Sequence, residues 1–234
     1  MAEVEFLVNT NSGQLAYPGY VASELQRICE VWYDTQIGPK VAKAALTATI
    51  QAAVDYNVDL DKDHGLSWGT LLTCFCCNMD YQKSQGQLNT TRFQNMATQR
   101  AEVVKLLLAA GADPNARENW GKEPYWTPLI RAAWAGYVPQ VTALLDDDRT
   151  DVNLRAGINN PDGDTALSSA VPGKHYEVAR LLLEKGADSS LEVGGVSIFI
   201  RATANNSYGG DIASVFYNHY YRQISPNQSV APAP

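Results

Sequence analysis

The chain has 234 residues, of which 25 are acidic and 18 basic, so its net charge near pH 7 is −7. Proteins that bind nucleic acid need a basic face that displaces phosphate counterions, and this balance argues against that class of partner. The length suits one extended domain.

The first residues and the cysteines bear on location. Residues 1–8 lack the basic start and the long apolar core of a secretory signal peptide. No stretch of about 18 apolar residues predicts a membrane-spanning helix. The four cysteines do not indicate an extracellular disulfide framework in a chain of this length. We therefore expect no membrane partner and a cytoplasmic location, either in the producing cell or, after delivery, in a target cell.

Four helix ends along the chain share one turn chemistry. Residues 54–61 form the first, with Asn57 in the place where later copies have glycine. Residues 102–113 and 177–188 share one sequence motif, in which Glu-Val is followed by a Leu-Leu-Leu run and then by Gly-Ala-Asp. A related helix, residues 141–145, precedes Asp151-Val152-Asn153. Glycine closes helices in the left-handed conformation and Asn or Asp bonds back to the turn, so each copy predicts an amphipathic helix with its own stop.

Helix-start signals precede two of these copies. Thr127-Pro128-Leu129-Ile130 and Thr165-Ala166-Leu167-Ser168 each begin with a threonine, which caps helices well. Proline at the first helical position strengthens the signal in the earlier copy. Small alanines follow both starts and allow a neighbouring helix to approach closely.

This order of elements resembles the ankyrin-repeat family, whose unit has a Thr-Pro-Leu-His start, a short helix, a Leu-rich helix and a Gly-Ala-Asp turn into a hairpin. The resemblance covers roughly residues 40–205 and implies an all-α solenoid of about five helix–turn–helix units with short hairpin fingers, in one domain of residues 1–224. The expected units are residues 19–61, 65–115, 121–153, 163–190 and 195–221, of which the first is degenerate and the last caps the stack. Residues 225–234, with three prolines, are expected to be a disordered tail.

Two departures from the family pattern carry expectations. The family's His after Thr-Pro-Leu is replaced by Ile130, Ser168 and Ile200, and we expect apolar packing to replace the lost hydrogen bonds. Residues 78–100 are rich in Gln, Asn, Ser and Thr, so we expect them to form a surface excursion between the two helices of the second unit.

No catalytic residue, metal ligand set or cofactor site is predicted. Cys74, Cys76 and Cys77 lack the second distant pair that a zinc site needs, and helical cysteines usually pack as small hydrophobes. The Asp146-Asp147-Asp148 run is interpreted as a solvated turn, since adjacent carboxylates on a helix end do not converge. His175 and Tyr137 are interpreted as structural, because the resemblance places both where the family packs a His between its helices.

The distinctive feature is aromatic. Residues 119–126 lengthen the expected finger of the third unit, and Trp134 lies on the helix that follows. Trp and Tyr dominate the energy of protein interfaces. We expect Trp120 to be exposed, and leave open whether Trp126 covers the core or contacts a partner. The positions that the resemblance places on fingers or inner helices, and that we predict to contact a partner, are Trp120, Lys122, Tyr125, Trp126, Arg131, Trp134, Asp162, Asp164, Ser169, His64, Leu66 and Trp68.

Three functions are compatible with these observations. The first is a monomeric, non-enzymatic module that binds a partner protein across its fingers and inner helices, with Lys122 and Arg131 favouring an acidic or amphipathic segment. The second is a dedicated inhibitor or immunity-type protein whose acidic groove masks a basic active site. The third, less favoured, is an enzyme on a repeat scaffold. The aromatic run at 216–222 is expected to serve mostly as the apolar face of the last helix, with a second interface there less favoured.

Overall fold

The computed structural model describes residues 39–55, 57–61, 69–76, 90–118, 125–157, 160–204 and 210–224. These residues form nine α-helices and one two-stranded hairpin. The helices are α1 Pro39–Asp55, α2 Leu71–Cys76, α3 Thr90–Ala109, α4 Pro128–Ala135, α5 Val138–Leu145, α6 Ala166–Ala170, α7 Tyr176–Glu184, α8 Ile198–Thr203 and α9 Gly210–Ile224. The antiparallel strands are β1 Glu192–Val193 and β2 Val196–Ser197.

The helices form two layers, as an all-α repeat solenoid requires. Short helices α2, α4 and α6 pack side by side in one layer, and α1, α3, α5, α7 and α9 follow one another in the second. Each pair α4–α5, α6–α7 and α8–α9 also packs between the layers. Each helix pair therefore buries its apolar face against its own partner and against the neighbouring pairs.

Threonine and serine caps start the short helices as predicted. The Thr127 hydroxyl accepts a hydrogen bond from the Ile130 backbone N–H, and Pro128 occupies the first helical position. Thr165 forms a reciprocal capping box with Ser168, in which each side chain accepts from the other residue's backbone N–H. Ser197 caps α8 as Thr127 caps α4, since its hydroxyl accepts a hydrogen bond from the Ile200 backbone N–H. These bonds satisfy backbone donors that a helix start otherwise leaves unpaired.

The turn chemistry predicted at the helix ends is confirmed, and it also links neighbouring units. Gly111 and Gly186 close α3 and α7 with φ of 99° and 89°, and Asn57 takes the same left-handed conformation at 52°. Within each turn an aspartate accepts from the N–H two residues on, as Asp113 does from Asn115. The acceptor aspartates are Asp59, Asp113, Asp151 and Asp188.

The third residue of each of the first three turns also bonds to the next turn. The Asp61 carboxylate accepts from Asp113 N, and the amide oxygens of Asn115 and Asn153 accept from Asp151 N and Asp188 N. The two asparagines also donate from Nδ2 to the carbonyls of Arg149 and Gly186. We name this series the turn ladder. It holds successive turns in register through side chains whose partners lie at least 33 residues away in sequence.

The expectation for residues 78–100 is wrong over its last 11 residues, because α3 begins at Thr90. Residues 77–89 lie outside the described residues. Arg100 is fully buried and donates to the carbonyls of Cys74 and Phe75 at the end of α2. A cation there is favoured by the helix dipole and satisfies the last carbonyls. The polar stretch thus contains a buried helix cap.

The outcome at the three His-replacing positions differs from unit to unit. Ile130 is buried in the apolar core, as expected. Ser168 is buried too, but its hydroxyl bonds within the capping box and to Asp164, so hydrogen bonding and not apolar packing fills that position. Ile200 is 57% exposed, so the expectation of apolar packing is wrong there.

The packing of the cysteines agrees with their interpretation as small hydrophobic residues. Cys74 and Cys76 are buried on α2, whereas Cys77 lies outside the described residues.

Gln140 occupies on α5 the place of Val103 on α3 and Val178 on α7, and all three are fully buried. Neither amide atom of Gln140 has a hydrogen-bond partner in the part of the chain that the structure describes. Such a group normally costs stability.

No helix among the described residues has the length and apolar character needed to cross a bilayer.

Candidate partner-binding surface

Helix α4 carries the exposed tryptophan at the centre of the candidate surface. The Thr127 cap fixes where α4 starts, and Arg131 and Trp134, three residues apart, then project from one face. Trp134 is 42% exposed, whereas Trp126, just before the cap, is partly buried and packs against the core. The α4 face therefore places an apolar ring in solvent beside a ring anchored in the protein.

A buried carboxylate organises this region. Glu118 accepts from Arg131 Nε at 2.9 Å and from Arg131 Nη2 at 2.8 Å. It also pairs with Trp126 through the backbone, since Glu118 N donates to Trp126 O at 3.0 Å, and its Oε1 accepts from Trp126 N at 3.3 Å. Charge-assisted, two-point bonds of this kind fix orientation strongly. Glu118 thus ties the end of the finger to α4.

The neighbouring unit leaves space for Glu118. Gly69 has φ of 80°, and a Cβ atom built there would lie 2.6 Å from Glu118 Cβ. Real atoms do not approach so closely, so a side chain at position 69 would displace the carboxylate. Glycine at 69 is therefore required both by its backbone conformation and by the buried ion pair.

Aromatic contacts extend from the ion pair to the surface. The Arg131 guanidinium carbon lies 4.5 Å from the Trp126 ring centre, which is a cation–π contact. The Trp126 and Trp134 ring centres are 5.7 Å apart with an interplanar angle of 56°. We name Glu118, Arg131, Trp126 and Trp134 the tryptophan array. Its buried end is held by hydrogen bonds, and its outer end is the exposed Trp134 ring.

The following unit fixes the backbone beneath Trp134. His175 Nε2 donates to the Trp134 carbonyl at 3.1 Å. The imidazole lies between two glycines, because a Cβ atom at Gly136 or at Gly173 would approach ring nitrogens of His175 to 2.4 and 2.3 Å. His175 thus links its own helix pair to the preceding one, which agrees with its interpretation as a structural residue. Its hydrogen bond holds the C-terminal end of α4.

Tyr125 marks the point where the finger returns to α4. Its φ is 45°, a left-handed conformation that costs energy for a residue with a large side chain. Trp126, which follows it, is held by the Glu118 hydrogen bonds, and this fixes the strained turn. Trp120 and Lys122, the other predicted contact residues of the finger, lie outside the described residues.

Other predicted contact residues fall into three groups. Asp162 is exposed, and Asp164 is partly buried with its carboxylate accepting from the Ser168 hydroxyl at 2.9 Å. Ser169 is buried on α6 between helix pairs, so its prediction as a contact residue is corrected. The remaining positions lie outside the described residues and are His64, Leu66 and Trp68.

The predicted electrostatic role of Arg131 also needs correction. Its charge is neutralised by Glu118, so it does not offer a free cation to an acidic partner. Arg117 and Arg155, which the sequence argument missed, donate instead to backbone carbonyls, Arg117 Nη2 to Arg155 O and Arg155 Nη1 to Glu192 O. They connect successive fingers. An arginine stands two residues after both Asn115 and Asn153. This regular spacing could have indicated from the sequence that the two arginines share a structural role.

Titratable groups elsewhere form ion pairs. The Asp147 carboxyl binds the Arg149 guanidinium, which lowers the pKa of Asp147, and the Asp146 carboxylate is 3.9 Å from Lys185 Nζ. The 146–148 run is thus a turn with ion pairs, in line with the solvated-turn interpretation. Within the described residues, no group of three His, Cys, Asp or Glu side chains converges as a metal site would require.

Sequence and structure comparisons agree with this geometry. A family model described as ankyrin repeats, in three copies, matches residues 93–193. Residues 93–193 are therefore ankyrin repeats. Ankyrin repeats are a general protein–protein interaction module, and the tryptophan array lies on one finger and one inner helix of this ankyrin stack.

Individual relatives of this ankyrin-repeat chain are much longer. The B-cell lymphoma 3 protein homolog of Mus musculus is 34% identical over 108 residues, which are 45% of this chain and 23% of that protein. The ankyrin repeat and KH domain-containing protein 1 of Homo sapiens is 40% identical over 88 residues, 38% of this chain and 3% of that protein. The chain therefore spans less than a quarter of either relative.

A solved ankyrin-repeat domain has the same fold. The crystal structure of the Bcl-3 ankyrin repeat domain matches with a TM-score of 0.57 and 24% identity, over 82% of this chain and 70% of that one. At this identity the likeness shows the fold alone. The residues of the tryptophan array must therefore be argued from their own geometry.

Proposed function

We propose that this ankyrin-repeat chain is a non-enzymatic module that binds a partner protein through Trp134 and the finger base beside it. The observation that carries the proposal is an exposed tryptophan on a rigid support. Trp134 is 42% exposed, while its backbone is held by His175 and its ring is packed on Trp126. Tryptophans on pre-organised surfaces lose little entropy on binding and are the side chains most often dominant in interfaces.

The charges around the array point to an apolar contact. Because Glu118 neutralises Arg131, the described surface next to Trp134 offers an aromatic ring and no unpaired charge from α4. We infer that the partner places an apolar or aromatic side chain on the Trp134 ring. Binding of this kind changes little with salt concentration, whereas an acidic groove that masks a basic active site would bind less tightly at high salt.

A paired substitution tests the site. The tagged chain, Trp134→Ala and the control Tyr176→Ala are each used to purify partners from the native cell, with quantitative mass spectrometry. Tyr176 is a suitable control because it is 55% exposed and lies on α7 of the other layer. The proposal expects at least one protein retained by the wild type and by Tyr176→Ala, and depleted at least tenfold by Trp134→Ala.

Two measurements complete the design. Thermal unfolding of Trp134→Ala should stay close to the wild type, because much of the ring is already in solvent. Repeating the purification at high salt should leave the partner bound if the contact is apolar. An unchanged set of partners with Trp134→Ala contradicts the proposal, and loss of the partner at high salt supports the dedicated-inhibitor alternative. A cytoplasmic location stays a prediction that microscopy of the tagged chain tests.

A further inference from the structure

The last helix pair exposes a position that every earlier short helix buries. The third residue after each helix cap is Thr73 on α2, Ile130 on α4 and Ser168 on α6, and each is at most 2% exposed. The equivalent residue of α8 is Ile200, since Ser197 caps that helix through the Ile200 N–H. Ile200 is 57% exposed. Each earlier short helix is followed along the chain by another helix pair, and after the α8–α9 pair the described residues contain no further pair.

The long helices show the same change. Leu108, Leu145 and Leu183 close the Leu-rich runs of α3, α5 and α7, and each is at most 7% exposed. Tyr217 follows the buried Phe216 on α9 as Leu183 follows the buried Leu182 on α7, yet Tyr217 is 43% exposed. Both layers therefore end with an uncovered stacking position that carries an apolar or aromatic side chain.

The exposed side chains of α9 share one side of that helix, and two of them contact α8. Tyr217, Tyr221 and Ile224 are spaced by four and three residues, so they line one side of α9. The Phe199 ring centre lies 5.8 Å from that of Tyr217 and 6.2 Å from that of Tyr220. We name Ile200, Tyr217, Tyr220, Tyr221 and Ile224 the terminal aromatic patch, and each is 43–57% exposed. Terminal repeats normally carry a polar outer face, which keeps the stack soluble.

We propose that a second copy of this chain covers the terminal aromatic patch, with the two stacks packed tail to tail about a two-fold axis. Inside the chain, each long helix packs against the long helix of the next pair, and the α8–α9 pair of a second copy would supply such a neighbour with the same apolar side chains. In a two-fold interface the same patch serves both copies, so the chemistry is self-complementary. This arrangement is the alternative to the monomer expected from sequence, which stays a prediction.

The size and charge of the patch suit a reversible dimer. Five side chains that are about half exposed present on the order of 500 Å² per copy, because large apolar side chains each have about 200 Å² of surface. Two copies would bury about 1,000 Å², at the low end of specific interfaces, so micromolar dissociation is expected. The nearby charge of Arg222 faces away from the patch, because its Nη1 lies 4.0 Å from Glu184 on α7.

Dimerisation would have a consequence beyond the binding of one partner. A tail-to-tail pair carries two tryptophan arrays in one particle, so a partner with two copies of the recognised segment gains effective concentration at the second site. The dimer itself is independent of the proposed function, since the patch and the array lie on different helix pairs.

Sedimentation equilibrium of the full chain tests the proposal. Samples from about 1 to 200 μM should show an average mass that rises from one chain toward two, with a dissociation constant in the micromolar range. Tyr221→Glu places a charge in the patch at an exposed helical position and should weaken association at least tenfold. Tyr176→Glu, an equally exposed tyrosine outside the patch, should leave it unchanged.

Each contrary outcome is defined. A wild-type chain that stays monomeric over the whole range overturns the proposal, as does a dimer that persists with wild-type affinity in both Tyr221→Glu and Ile200→Glu. Circular dichroism melting of the variants shows that they remain folded, because both positions are largely in solvent. Retention of the dimer at high salt is expected for an interface built from aromatic and aliphatic side chains.

Discussion

Arg131 and Glu118 form a two-point ion pair in which the carboxylate is buried and the guanidinium also lies over the Trp126 ring. Breaking such a pair leaves a poorly solvated charge without its partner, which costs more than the pair itself contributes. The ion pair is therefore the support on which the exposed Trp134 ring depends.

Glu118→Ala is expected to destabilise the chain. Loss of the carboxylate that binds the Arg131 guanidinium should cost about 3 kcal/mol, which lowers the melting temperature by roughly 6 to 12 °C in a chain of this size. Tryptophan fluorescence should shift at the same time, because Trp126 N loses its hydrogen bond to Glu118 Oε1 and the Trp126 ring loses the fixed position of Arg131. The double variant Glu118→Leu with Arg131→Met should recover most of the loss, since it leaves no buried charge. A single variant that melts like the wild type would show that the pair is not a support.

Gln140→Val is expected to stabilise the fold. Its amide is buried without a hydrogen-bond partner among the described residues, and the equivalent positions on α3 and α7 are Val103 and Val178. Removing the unsatisfied amide at nearly constant volume should gain about 1 to 2 kcal/mol, or roughly 2 to 8 °C in melting temperature. Val178→Gln is the matched reverse change and should lower it by a similar amount. A less stable Gln140→Val would mean that the amide has a partner in the native protein.

Asp61→Asn is expected to stabilise the turn ladder near neutral pH. Burial raises the pKa of the Asp61 carboxyl, and the Asp113 and Asp59 carboxylates raise it further, against a lowering by the Asp113 N–H bond. Asparagine keeps the acceptor and adds a donor, which should reach the Gly111 carbonyl as Asn115 reaches that of Arg149. One such bond contributes about 1 kcal/mol, or roughly 2 to 4 °C.

The pH dependence of this variant follows from the sign of the shift. A raised carboxyl pKa means that the folded wild type binds its proton more tightly than the unfolded chain, so ionised Asp61 costs stability at neutral pH and the cost disappears as pH falls through the raised pKa. The part of the Asp61→Asn advantage that comes from removing the ionised carboxylate should therefore be full at pH 7 and fade as pH falls toward the ordinary aspartate pKa of 3.8. Melting curves of both proteins across that range measure it. An advantage that grows in acid would contradict the assignment.

Asn153→Ala is expected to loosen the contact between two units. Its amide accepts from Asp188 N and donates to Gly186 O, and both bonds cross to the next turn. Their loss should cost about 1 to 2 kcal/mol. Ser190→Ala is the control, because the Ser190 hydroxyl bonds within its own turn, to Asp188. Hydrogen exchange of the Asp188 amide should accelerate in the first variant and not in the second.

Local chemistry explains why much of the fold could be predicted. The caps at Thr127 and Thr165 and the left-handed stops at Gly111 and Gly186 depend on residues within a few positions of each other, so a single sequence contains the cause. The start of α3 could not be predicted from local sequence. Residues 90–100 have few apolar side chains, and the reason for their helix includes Arg100, whose partners are carbonyls 25 and 26 residues earlier.

The candidate site was predicted in part. Trp126 and Trp134 were predicted from the aromatic residues of the lengthened finger and the helix after it, and Arg131 as a positive group beside them; the structure brings the three into contact. Glu118 was missed, since nothing in a sequence shows that a glutamate on the finger will be buried. Arg131 was interpreted as a surface cation for the same reason.

The sequence by itself determined the repeat: where most helices start and stop, which faces are apolar, and which turns carry an Asp and an Asn in fixed places. The tertiary structure decided which of those apolar faces is covered. Burial depends on whether another helix pair lies against a residue, so Ile130 and Ile200 hold the same place in their repeats, yet the first is in the core and the second is in solvent.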